Sequence, residues 1–106
     1  MSIYTTPTIE LLARAIDASA LRQGVYASNV ANAGVEGYRR MEVAVDAAAA
    51  PTGLGEAPTI VPTDSVVKLD EEMARMAKNS LRYEVLISAF EKSLGTLRMA
   101  VREGRD

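Results

Sequence analysis

Residues 69–102 read LDEEMARMAKNSLRYEVLISAFEKSLGTLRMAVR. Within them Leu69, Met73, Met76, Ser80, Tyr83, Ile87, Phe90, Leu94, Leu97 and Val101 recur at alternating steps of four and three. All but Ser80 are apolar or aromatic, the stripe of a helix that buries one face along a partner helix. The spacing predicts one helix that begins between Asp64 and Asp70 and runs to about Arg102, where Gly104 stops it. Asp70, Glu71 and Glu72 stand in or near its first turn, and Arg98 and Arg102 near its end. The helix dipole favours both placements. At ~1.5 Å per residue the helix is roughly 50 Å long. Tyr83 and Phe90 are expected in the seam as core, with Met73 and Met76 as adaptable packing. Gly95 costs about 1 kcal/mol against alanine, and simple tolerance explains it better than a close helix crossing.

A second helix is expected upstream. Thr8 reads as its N-cap after Pro7, and Glu10 lies in its first turn. Ile9, Leu12, Ile16, Ser19, Gln23, Tyr26 and Val30 again alternate in steps of three and four. Beside them Ala13, Ala20 and Ala27 form a row that lets another helix approach closely. Glu10 and Arg14 make an i,i+4 pair worth a few tenths of a kcal/mol. The helix should end near Asn32 to Gly34: Gly34 can take the left-handed conformation common after a helix, and Asn32 tolerates it better than most residues. Gly37 marks a second tight turn.

Between the helices Met41, Val43 and Val45 alternate with Glu42, Ala44 and Asp46, the period of a short strand. Residues 47–63 are rich in alanine, proline and glycine; Pro58 and Pro62 oppose a continuous helix. Thr59-Ile60-Val61 and Val66-Val67 are candidates to pair with the strand at 41–45. The expected fold is mostly all-α: two long terminal helices in a coiled-coil-like hairpin, with a short irregular or β-like centre. Within this one domain, residues 1–33 hold the N-terminal helix, 34–67 the turn and middle, and 68–106 the heptad helix.

Composition narrows function. The 106 residues carry a net charge of −2, without the basic excess that displaces counterions from nucleic acid. With no cysteine there is no disulfide or thiolate, and with no histidine the commonest general base and metal ligand is missing. No cofactor, metal or small-molecule substrate is therefore expected. Asp70-Glu71-Glu72 is explained by helix capping rather than by paired catalytic carboxylates, and Gly53-Leu54-Gly55 is too little for a phosphate loop. Glu10, Arg14 and Asp17 interrupt the N-terminal apolar residues, so neither a membrane span nor a cleaved signal is expected.

Apolar residues remain after the two seams are paired: Ala74, Ala77, Leu81, Val85, Leu86, Ala89 and Met99 on the second helix, Leu21 and Val25 on the first. Such leftover surface marks an interface. A marginal fold that becomes ordered on assembly is expected.

Two blocks carry a family resemblance. Arg22-Gln23, Asn29-Val30-Ala31-Asn32-Ala33 and Gly37-Tyr38-Arg39 resemble the pre-turn motif of bacterial flagellar rod, hook and related axial proteins. Val35-Glu36 stands where that family usually has Thr-Pro. Leu69 to Tyr83, with Leu94 to Gly104, is similar to the FlgB-type proximal rod family. The resemblance implies a structural subunit of the flagellar basal body that polymerises helically into the proximal rod, drive shaft and export conduit in one. It implies export through the flagellar type III apparatus without a cleaved signal peptide, and a place in the periplasmic rod. Implied partners are copies of itself, neighbouring rod and junction proteins, the export gate and the inner-membrane ring.

The candidate assembly residues are Asn29, Asn32, Gly37, Tyr38, Leu81, Tyr83, Leu86, Ile87, Phe90, Leu94 and Leu97. Asn29 and Asn32 are candidates for capping and for hydrogen bonds between subunits, although helix termination alone would explain Asn32. Tyr38 either anchors the turn against a neighbour or packs on its own helix. The competing reading is a small helical binding module, a cytosolic secretion chaperone or homodimeric coiled-coil adaptor, which would form a discrete dimer. An enzyme is close to excluded.

Overall fold

The computed structural model describes residues 6–45 and 57–104. Helix α1 spans Pro7–Ala31, strand β1 Met41–Ala44, strand β2 Thr59–Pro62 and helix α2 Leu69–Glu103. Ser19 of α1 meets Asn79 of α2, and Asn29 meets Glu72, so the helices run antiparallel. The two strands form an antiparallel ribbon with Met41 opposite Pro62 and Ala44 opposite Thr59. The ribbon packs on α1 where the chain leaves that helix. The hairpin is a rod of 65 × 24 × 15 Å. Helix α2 has 35 residues against 25 in α1, so its last turns, with Leu94, Leu97 and Val101, run on beyond Pro7.

The start of α1 falls one cap earlier than the sequence suggests. Thr6, not Thr8, is the N-cap: its Oγ1 accepts from the Ile9 N–H at 3.1 Å. Proline has no N–H to lose and a helical φ, so it suits the first helical position and leaves the cap to the residue before it.

At the other end Gly34 does not take the left-handed conformation. The helix unwinds through successive turns, with Asn32, Ala33, Val35 and Tyr38 N–H groups bonded to carbonyls three or four residues back. The positive φ is deferred to Gly37, at 81°, where an added Cβ would meet nothing within 4 Å. The requirement there is purely conformational. Gly37→Ala should cost about 1–2 kcal/mol through that φ alone, read as a lowered midpoint in thermal unfolding; an unchanged midpoint would show that the turn tolerates a side chain.

The strand expected at 41–45 forms over Met41–Ala44, and its partner is Thr59–Pro62 without Val66 and Val67. Arg40 lengthens the pairing by bonding to Ser65 O at 2.9 Å and accepting from Thr63 N–H at 3.0 Å. There it ends, because the Thr63 hydroxyl bonds to Arg40 O at 2.8 Å and accepts from Ser65 N–H at 3.2 Å. The loop expected at Pro51, Gly53 and Gly55 lies outside the described residues.

The interior is unusual for a helical hairpin. Among the described residues the buried apolar side chains are Ile9, Ala18 and Val25, whereas Ser19, Asn29, Arg40, Glu72 and Asn79 are buried polar ones. Val25, expected on the outside, is core at 5% exposure. On α2 the seam is shifted. Leu69 and Met73 face outward, and Glu72 and Asn79 take the inner positions. Tyr83, expected in the core, lies at the border of the seam at 37% exposure, while Met76, Leu86, Ile87 and Phe90 are half-buried. Polar residues hold the inner positions because each has a partner waiting there.

Candidate functional site

At the open end of α1 the chain ties itself into a polar knot. Asn29, in the last turn of α1, is fully buried. Its Nδ2 donates to Met41 O at 3.0 Å and to Glu72 Oε2 at 2.9 Å. Its Oδ1 accepts from the Met41 N–H at 2.9 Å and from the Tyr38 hydroxyl at 3.1 Å. Both donors and both lone pairs of the amide are used. One side chain thus joins helix, turn, strand and opposing helix.

Glu72 closes the knot from α2. Its Oε1 accepts from Arg40 Nε at 2.9 Å and from Arg75 at 2.8 Å. Arg40 also pairs with Glu42, and Arg75 lies 3.9 Å from Glu71. Among the described residues no buried side-chain nitrogen or oxygen lacks a partner. This matters because a buried ion repays its desolvation only when fully hydrogen-bonded. The acid run at the start of α2 is therefore more than a dipole complement: Asp70 caps locally through the Glu71 N–H at 3.0 Å, but Glu72 points inward.

A smaller cluster sits further along the seam. Ser19 Oγ donates to Asn79 Oδ1 at 3.0 Å, and Asn79 Nδ2 donates to Ser19 O and Gln23 Oε1, both at 2.8 Å. The polar lapses Ser19 and Gln23 in the first heptad stripe are thus matched to a polar residue on α2.

Burial pushes the Glu72 carboxyl up, but hydrogen bonds from Arg40 and Asn29, the Arg40 charge and Arg75 outweigh it and hold the carboxyl below its usual range. For Arg40 burial acts downward and is outweighed by Glu72 and Glu42, so its guanidinium stays protonated. A carboxyl lowered on folding stabilises fully above its unfolded pKa, and that contribution is lost as pH falls through the lower folded value. Acid titration followed by helical circular dichroism should show such a loss below the ordinary glutamate range. Glu72→Gln should remove that portion of the acid dependence; an identical acid limb in the variant would show that Glu72 does not supply it.

The outer face of α2 is different in kind. Leu69, Met73, Ala77, Leu81 and Val85 follow one another at steps of four and are all exposed, Leu81 to 63%. Such a row is a continuous ridge on a helix. Of the sequence candidates, Asn29 and Tyr38 are brought together in the knot, and Asn29 has no bonding capacity left for a neighbour. Asn32 is half-buried and turns its amide back to Ser28 O at 2.8 Å, as helix termination requires. Gly37 is exposed in the turn. Leu81 is on the outer ridge. Leu86, Ile87, Phe90, Leu94 and Leu97 are half-buried along α2, well away from the knot. Arg40, Glu72 and Asn79 were not anticipated. The one trace of Glu72 and Asn79 in the sequence is a second heptad series, Glu72, Asn79 and Leu86, one residue before Met73, Ser80 and Ile87; Arg40 leaves none.

Residues 9–39 match the family model described as flagella basal body rod protein. The match is a similarity of this segment, under a third of the chain, to that family. It covers nearly all of α1 and the turn through Tyr38, and so contains Ser19, Gln23, Asn29, Gly37 and Tyr38. The matched segment therefore supplies the α1 half of both polar clusters, and the partners Arg40, Glu72 and Asn79 come from beyond it. No curated protein matches the chain. The rod family is one of structural proteins of the flagellar basal body and not of enzymes, and its members act by assembling with other rod proteins.

Proposed function

We propose that this chain is a subunit of the proximal rod, of FlgB type, which polymerises helically with copies of itself and with neighbouring rod and junction proteins. The observation that carries the reading is the rod-family match over residues 9–39. The similarity of Leu69 to Tyr83 to the FlgB-type segment supports the finer placement. The hairpin's polar interior supports assembly as the mechanism. Few apolar side chains are used internally, and the α2 ridge is left for a neighbour to bury. A heterologous contact of that sort does not close on itself and extends as a helix. Torque is then carried by packing alone.

In this reading the subunit travels through the flagellar export apparatus without a cleaved signal and takes its place in the periplasm between export gate, inner-membrane ring and the next rod segment. Its assembly residues are the outer ridge around Leu81 and the seam positions Tyr83, Leu86, Ile87, Phe90, Leu94 and Leu97. Asn29, Asn32, Gly37 and Tyr38 shape the base that presents them. Deletion of the gene in its host, followed by electron cryotomography of basal bodies, tests the placement. Inner-membrane rings without a rod, with loss of swimming, are expected. Complete rods in swimming cells would overturn it.

A further inference from the structure

Helix α2 carries two seams that share four of their seven residues. Leu69, Met76, Tyr83 and Phe90 belong to both. One seam completes them with Met73, Ser80 and Ile87, the other with Glu72, Asn79 and Leu86. On apolar content alone the first should face α1, since it replaces a glutamate and an asparagine by a methionine and a serine. The structure shows the second. Turning from one to the other needs a rotation of α2 by about half the 100° that separates neighbouring residues.

We propose that the buried polar contacts are a seam selector: Asn29 and Arg40 on Glu72, and Ser19 and Gln23 on Asn79, hold α2 with its polar seam inward and so turn Met73 outward. Every partner of Glu72 and Asn79 on α1 or the turn lies within 2.8–3.0 Å, and Asn29 and Arg40 are oriented by further bonds to Met41, Tyr38 and Glu42. A polar residue at one seam position selects pairing geometry at a cost in stability. The rejected seam would move Glu72 off Arg40 and Asn29, leaving a buried guanidinium and a buried amide short of their acceptor. The selector thus opposes the apolar seam with a specific penalty. The selection follows from the geometry of the hairpin alone. Its consequence for polymerisation, a ridge continuous from Leu69 to Val85, rests on the assembly reading above.

Methionine oxidation by peroxide tests it on the full chain, diluted until it sediments as a monomer, with each methionine followed by peptide mass spectrometry. Met73 and Met99, 56% and 61% exposed, should oxidise faster than half-buried Met76 in the natural chain. In Asn29→Ala/Arg40→Ala the selector loses its strongest contacts; α2 should turn, and Met73 should slow by about fivefold relative to Met99 as its exposed area is buried. Adding Glu72→Leu to that variant removes the charge that needs solvent and makes the observed seam apolar, so Met73 should return to its fast rate. Three results would overturn the proposal: equal rates for Met73 and Met76 in the natural chain, an unslowed Met73 in the double variant, or a Met73 that stays slow when Glu72→Leu is added. The second covers simple unfolding, in which both methionines become fast. A loss of rod assembly without any change in these rates would fault the assembly reading and leave the selector untouched.

Discussion

Leu81→Asp is expected to abolish swimming while leaving the hairpin folded. Leu81 is the most exposed large apolar side chain on α2, at 63%, and it lies within the ridge from Leu69 to Val85, between Ala77 and Val85. In the isolated chain an aspartate there is solvated, and surface substitutions of this sort change stability by only about 0.5 kcal/mol. In a polymer whose neighbour covers the ridge, the same carboxylate is buried without a partner at each subunit contact, at a cost of about 3–5 kcal/mol each. Helical circular dichroism of the purified variant should match the natural chain, and cells carrying it should lack rods and fail to spread in soft agar. Normal spreading would mean that the ridge stays in solvent, and the interface would have to lie elsewhere.

The same substitution at Val25 should do the opposite. Val25→Asp is expected to destroy the hairpin itself, because Val25 is 5% exposed and among the few apolar residues in the interior. Asn29, one helical turn on from Val25, and its partners are already committed to one another. A carboxylate at Val25 would thus be buried uncompensated, at about 3–5 kcal/mol, a large share of the stability of any small domain. Thermal unfolding of the variant should show no cooperative transition at a temperature where the natural chain is folded. A transition within a few degrees of the natural one would show that the Val25 site opens readily to water. Taken together, the two aspartates separate folding from assembly by position alone.

Much of the architecture was legible because helices declare themselves by period. The alternating steps from Ile9 to Val30 and from Leu69 to Val101 predict two long helices, and helices form over Pro7–Ala31 and Leu69–Glu103. The alternation from Met41 predicts a strand, and proline at 58 and 62 keeps the return segment extended. Errors at the ends were local. Thr6 caps α1 because Pro7 fits inside the helix, and Gly37, rather than Gly34 or Asn32, takes the positive φ.

The interior was legible only in part. Glu72 stands in a run of acids at a helix start, where a dipole explains it, and nothing near it in the sequence signals burial. The residues that bury it, Arg40 and Asn29, lie 32 and 43 positions away. Hydropathy counts Glu72 and Asn79 as surface residues because it assigns a polar group its cost without its partners. The sequence by itself determined that two amphipathic helices would fold back on each other around a Gly-dependent turn, since periodicity and backbone freedom are properties of neighbouring residues. Only the tertiary structure decided which face of α2 turns inward: that choice depends on hydrogen bonds between groups far apart in the chain, whose worth appears only once folding has brought donor and acceptor together and excluded water from between them.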